Sequence, residues 1–102
     1  MDKQSKILIV DDEQMVTKTL DMLLGLEGFS YVTTYNNPID ALEWLKDNEV
    51  DLIISDFYMP QLNGIDFFTK AIKLQKDVST ILLTGYADKE NAIRAINEIG
   101  IF

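Results

Sequence analysis

The amino-acid sequence predicts an α/β fold: an open, doubly wound parallel sheet with helices on both faces. Three observations predict it. Residues 7–10, 52–54 and 81–83 are short, wholly apolar runs, the pattern of strands buried on both faces of a parallel sheet. Between them, apolar residues recur every three or four positions, the period of a helix. Strand and helix alternate four times over, which implies right-handed crossovers and one continuous sheet.

Each element has its own justification. Ile7, Leu8, Ile9 and Val10 form the first strand, ended by Asp11 and Asp12. Val16, Leu20, Leu23 and Leu24 then fall at helical spacing, with Gly25 and Gly28 near the stop. Residues 31–35 are β-branched and aromatic and read as the second strand. Asn37 followed by Pro38 is an N-cap with proline at the first helical position, and Ala41, Leu42 and Leu45 make one face of that helix. Trp44 on the same helix reads as a packing residue. Residues 51–56 hold the third strand, and Pro60, Asn63 and Gly64 mark a loop. Ile65, Phe68 and Ile72 are expected to share the next helical face. Residues 78–84 hold the fourth strand. Asp88 then caps a helix carrying Ala92, Ile93 and Ile96, Gly100 stops it, and Ile101 and Phe102 begin a fifth strand.

Composition bounds the function. A chain of 102 residues, 47% hydrophobic and 25% charged, has room for one core, so residues 1–102 are expected to form one domain. Acids outnumber bases 17 to 9, for a net charge of -8. Such a surface repels phosphate backbones and anionic headgroups, so neither direct nucleic-acid binding nor membrane association is expected. With no cysteine and no histidine, disulfides, thiolate nucleophiles, Ser-His chemistry and zinc-histidine sites are excluded. The first residues hold no apolar stretch long enough for a signal peptide or a membrane span, and the cytoplasm is the expected compartment.

Open parallel sheets bind ligands outside the carboxyl ends of their strands. Those ends carry Asp11 and Asp12, then Asp56, then Thr84. Taken singly, each has a plainer reading: Asp12 caps the first helix, Thr84 is a β-branched strand residue, Pro60 and Gly64 shape a loop. Together the acids present a charge problem. Two carboxylates about 4 Å apart repel by roughly 4 kcal/mol at an effective dielectric of about 20. Protonation of one acid relieves this. A hard divalent cation relieves it better, and Mg2+ takes a few carboxylate oxygens together with waters and phosphate.

Residues 7–13 resemble the opening of response-regulator receiver domains. Ser55, Asp56, Phe57, Tyr58, Met59 and Pro60, with Asn63 and Gly64, resemble their phosphoacceptor strand and following loop. Residues 82–87 resemble their switch strand. The resemblance covers nearly the whole chain in register. It implies a flavodoxin-like sheet of order 2-1-3-4(-5). It implies that Asp56 becomes an aspartyl phosphate, with a phosphohistidine on a histidine kinase or histidine phosphotransfer protein as donor. Asp12 ligates Mg2+ directly, Asp11 acts mainly through water, and Asp56 and the Tyr58 backbone carbonyl complete the protein's share of the metal site. The Thr84 hydroxyl bonds a phosphoryl oxygen, and Gly85 keeps the backbone close to it. Tyr58 and Tyr86 stand where members of that family differ in the lifetime of the acyl phosphate; they read equally as bulk that shields it from water or as exposed loop aromatics. Such a domain carries a signal rather than turning over a substrate.

Three other readings compete with this resemblance. A haloacid-dehalogenase enzyme needs a second Asp two residues after the nucleophile, where this chain has Tyr58. A flavodoxin-type cofactor carrier needs a phosphate loop after the first strand, where Asp11, Asp12 and Glu13 repel phosphate. A pseudo-receiver, a protein-interaction module that is not phosphorylated, is the remaining alternative. It draws on a departure from the family pattern: the Lys that ends the fifth strand and the aromatic switch residue before it fall beyond Phe102. The domain is therefore expected to be incomplete at its C-terminus, with the last strand and helix largely missing. Those elements bury about four or five large apolar side chains, roughly 6 to 15 kcal/mol, against a whole-domain stability of about 5 to 15 kcal/mol. Self-association through the exposed fourth-strand edge, and weak phosphorylation and switching, are the corresponding expectations.

Overall fold

Among the described residues, four parallel strands in the order β2-β1-β3-β4 form the sheet. The computed structural model describes residues 1–57, 59–75 and 77–83. Its elements are β1 (Lys6–Val10), α1 (Gln14–Leu26), β2 (Tyr31–Tyr35), α2 (Pro38–Leu45), β3 (Leu52–Asp56), α3 (Gly64–Leu74) and β4 (Ser79–Leu83). The predicted strand-helix alternation is present, and the order 2-1-3-4 is the one expected. The expected helix from Asp88 to Gly100 and the strand begun by Ile101 and Phe102 lie outside the described residues.

The sheet separates two cores because successive side chains of a strand point to opposite faces. Ile7, Ile9, Leu52 and Ile54 join Val16, Leu20 and Leu24 of α1 on one face. Leu8, Val10 and Ile53 join Ala41 and Leu45 of α2 and Phe67, Phe68 and Ala71 of α3 on the other. The central strands β1 and β3 are thus buried on both sides, as their unbroken apolar runs required. Trp44 packs as expected, its ring 6.1 Å from that of Tyr35.

The helix ends follow local chemistry. The Asn37 side chain accepts from the Ile39 N–H at 2.8 Å with Pro38 in the first turn, the predicted cap. At the end of α1, Gly25 lies inside the helix and Gly28, at φ +99°, makes the stop. The Gly28 N–H donates to Gly25 O and the Phe29 N–H to Leu24 O, both at 3.0 Å. This is a Schellman closure, and buried Phe29 joins Leu24 in the same core.

One expected face is wrong. Ile65 and Ile72 are 54% and 53% exposed, whereas Phe67 is fully buried. The inward residues of α3 are Gly64, Phe67, Phe68 and Ala71. Both sets have helical spacing, so periodicity alone does not choose between them. A second buried anchor was equally silent in sequence. Gln75 donates from Nε2 to the carbonyls of Leu45 and Asn48, at 2.9 and 2.8 Å, and accepts from the Val50 N–H at 3.1 Å. It ties the end of α3 to the segment entering β3.

Candidate functional site

The sheet order brings the acids together. β1 and β3 are neighbours, with Val10 opposite Ser55. One step further in the same register, Asp11 stands beside Asp56 at the carboxyl edge. This lies where the chain order reverses, between β1 with its crossover to β2 and β3 with its crossover to β4, the place where such sheets bind ligands. Asp12 follows Asp11 into the loop before α1.

One carboxylate oxygen from each of Asp11, Asp12 and Asp56 lies within 4.8 Å of the other two. Oxygens sharing an octahedral Mg2+ at about 2.1 Å from the metal stand roughly 3–4 Å apart. The observed spacing is within a small side-chain adjustment of that. The donor set is all oxygen and all anionic, which suits a hard divalent cation. Asp11 is buried, Asp56 half-buried and Asp12 exposed.

Asp12 is not the cap of α1. Glu13 occupies the cap position and makes no side-chain cap hydrogen bond. Asp11 instead accepts the Glu13 N–H on Oδ1 at 2.9 Å, which turns the chain from β1 into the helix and leaves Asp12 at the acidic cluster. The Asp12 carboxyl is pushed above the usual aspartate range, first by partial burial of its charge and then by the neighbouring Asp11 carboxylate. Like charge is thus crowded at Asp12, the situation in which a nearby cation is favourable.

The loop after β3 is held by its ends. The Phe57 N–H donates to Leu83 O at 2.8 Å, and the Gly64 N–H donates to Phe57 O at 2.9 Å. A Cβ at Gly64 would stand 2.5 Å from Asp56 O and 2.6 Å from Leu82 Cδ1, so α3 starts against the backbone of Asp56 because residue 64 has no side chain. Buried Met59 packs in the core beneath. Thr84, which follows Leu83 directly, and Tyr58, Gly85 and Tyr86 lie outside the described residues. The structure thus gathers Asp11, Asp12 and Asp56 and brings Leu83 beside Phe57. Spacing did not reveal Asn36, whose side chain reaches the Asp11 backbone. The rule of strand ends, applied to β2, names it.

The family model for the response regulator receiver domain matches residues 7–102. The transcriptional regulatory protein GlrR of Escherichia coli K12 is 33% identical over 100 residues, covering 98% of this chain and 22% of that protein. Among solved structures, the response regulator receiver domain protein from Clostridium thermocellum is 33% identical, with a TM-score of 0.73 over 92% of this chain and 75% of that one. The CheY-like receiver domain protein from Methanospirillum hungatei JF-1 is 29% identical, with a TM-score of 0.76 over 92% and 74%. The fold and acidic edge define a parallel α/β domain with a site able to hold a cation, and the chain belongs to the response regulator receiver domain family. It spans about a fifth of the length of curated relatives such as GlrR.

Proposed function

We propose that this receiver domain accepts a phosphoryl group on Asp56 from a phosphohistidine of a histidine kinase or histidine phosphotransfer protein, in the presence of Mg2+. The observation that carries the reading is the gathering of Asp11, Asp12 and Asp56 within 4.8 Å at the strand ends. That intact trio favours a phosphoacceptor over a pseudo-receiver. Asp11, Asp12 and Asp56 hold the cation, with the Tyr58 carbonyl carried over from the family pattern. When bound, Mg2+ supplies positive charge against the carboxylates and the phosphoryl oxygens.

The residues of the chain perform the rest. A carboxylate oxygen of Asp56 attacks phosphorus as the phosphorus–nitrogen bond of the donor breaks, and the bonding electrons leave with the imidazole nitrogen. The product is an acyl phosphate on Asp56. Positioning and charge compensation, not acid-base chemistry, lower the barrier. Thr84 donates its hydroxyl hydrogen to a phosphoryl oxygen and couples the modification to the rest of the domain. The chain is a carrier of the group rather than a turnover enzyme. Its partners are the phosphodonor protein and the cation, not nucleic acid, in keeping with the net charge of -8. No helix among the described residues is long and apolar enough to cross a membrane; a cytoplasmic setting is part of this proposal.

Incubation with acetyl phosphate and Mg2+, followed by intact-protein mass spectrometry, tests the reading. The expected result is a gain of one phosphoryl group that needs the cation and disappears in Asp56→Ala. No gain in the parent chain, or an equal gain in the variant, overturns it.

A further inference from the structure

The acidic pair is held by an amide that no part of the phosphoryl chemistry uses. The Asp11 N–H donates to Tyr35 O at 3.1 Å, and the Asp11 backbone oxygen accepts from Asn36 Nδ2 at 2.9 Å. The same Nδ2 donates to Thr17 Oγ1 at 3.0 Å, and the Thr17 hydroxyl donates to Gln14 O at 3.0 Å. Asp11 and Thr17 are each only 1% exposed. Asn36, just past β2 and at the surface, closes over both.

The direction of these bonds is dictated by chemistry. A backbone carbonyl only accepts, so the group facing Asp11 O must be the amide NH2. The single Thr17 hydroxyl proton is committed to Gln14, so its oxygen accepts the second amide hydrogen. An aspartate at position 36 offers neither hydrogen and adds a fourth negative charge beside three. The Asp11 carbonyl also belongs to the peptide that carries the Asp12 N–H. Pinning that oxygen fixes the plane from which Asp12 departs, against the mutual repulsion of the acids.

We propose that Asn36 is a positioning residue for the acidic site, clamping the peptide between Asp11 and Asp12 to the first turn of α1 so that both carboxylates stay in range of Asp56. This rests on the reading of the site as a cation site. Outer residues that orient metal ligands typically account for 10–100-fold in metal affinity.

Titration of the 102-residue chain with Mg2+ alone, followed by calorimetry at a temperature where circular dichroism shows every variant folded, tests it. Asn36→Ala is expected to bind about 10-fold more weakly. Gln75→Leu, at the opposite end of the sheet, is the stability control: it lowers Tm and keeps the parent affinity. Thr17→Val removes one of the two acceptors and is expected to weaken binding by a smaller factor; it carries the test if Asn36→Ala is too unstable. Parent affinity in both Asn36→Ala and Thr17→Val overturns the positioning role while leaving the cation site standing. A loss in Gln75→Leu equal to that in Asn36→Ala overturns it too, because general destabilisation then explains both. Absence of Mg2+ binding by the parent chain overturns the cation reading and the clamp with it.

Discussion

Gly64 abuts the main chain of Asp56: a methyl group added at residue 64 would lie 2.5 Å from the Asp56 carbonyl oxygen. The first turn of α3 is therefore seated directly on the end of the strand that presents the acceptor carboxylate. The Gly64 N–H, donated to Phe57 O at 2.9 Å, fastens the same junction.

Gly64→Ala tests this seat. Two of the close atoms, Asp56 O and Phe57 Cα, are backbone, so the clash cannot be relieved by a side-chain rotation alone. The variant is expected to lose about 1–3 kcal/mol by overpacking, measured by urea unfolding. It is also expected to slow phosphoryl uptake more than its stability loss explains, because the displaced backbone is that of the acceptor.

Asp12→Asn tests the charge crowding. The folded chain raises the Asp12 pKa, so between the ordinary aspartate value and the raised one it binds more protons than the unfolded chain. Stability from this group is therefore lost as pH rises through that window, and the charged form is the destabilising one at neutral pH. In metal-free buffer near pH 7, Asp12→Asn is expected to raise Tm by a few degrees. The gain should vanish when the pH falls below the window. Added Mg2+ should raise the Tm of the parent chain and leave that of the variant nearly unchanged. Thermal melts at several pH values, with and without the cation, check all three outcomes.

The inward face of α3 is tested by a contrast. Phe67→Ala empties a fully buried site and is expected to cost about 3–5 kcal/mol. Ile72→Lys lies on the exposed face and is expected to change stability by no more than about 0.5 kcal/mol. Equal losses in denaturant unfolding would reverse the assignment of faces.

The Schellman closure at the end of α1 gives a fourth outcome. Gly28→Ala places a Cβ on a residue at φ +99° and is expected to cost roughly 1–2 kcal/mol. Open space is not the issue there, since the nearest atoms, on the Lys3 side chain, are 3.7 Å or more away. The conformation alone carries the loss. Phe29→Ala removes the apolar half of the same motif and should cost about 3–5 kcal/mol, read from the same unfolding curves.

Much of the site was legible in the chain. The apolar runs of β1 and β3 are local patterns, and so are the acids that end them. Once a parallel sheet is inferred, the rule of strand ends places Asp11, Asp12 and Asp56 at one edge, where the structure has them. The cap of α2 was equally local, since Asn37 and the proline after it act within three residues. The face of α3 was not local. Phe67 and Ile72 both satisfy a helical period, and the choice between them depends on how closely the helix can approach β3. Asn36 and Gln75 escaped for the same reason. Each polar side chain satisfies groups far from it in the chain, Thr17 and Asp11 in one case and Leu45, Asn48 and Val50 in the other.

The sequence by itself determined the layer order, the strand ends and the identity of the three carboxylates, because each follows from hydrophobic runs and their terminators read a few residues at a time. Tertiary structure decided how α3 is rotated, which glycine must stay bare and which amide steadies the acidic pair. Those are contacts between separate segments of the chain, set by packing distance and hydrogen-bond geometry. No periodicity along the chain encodes them.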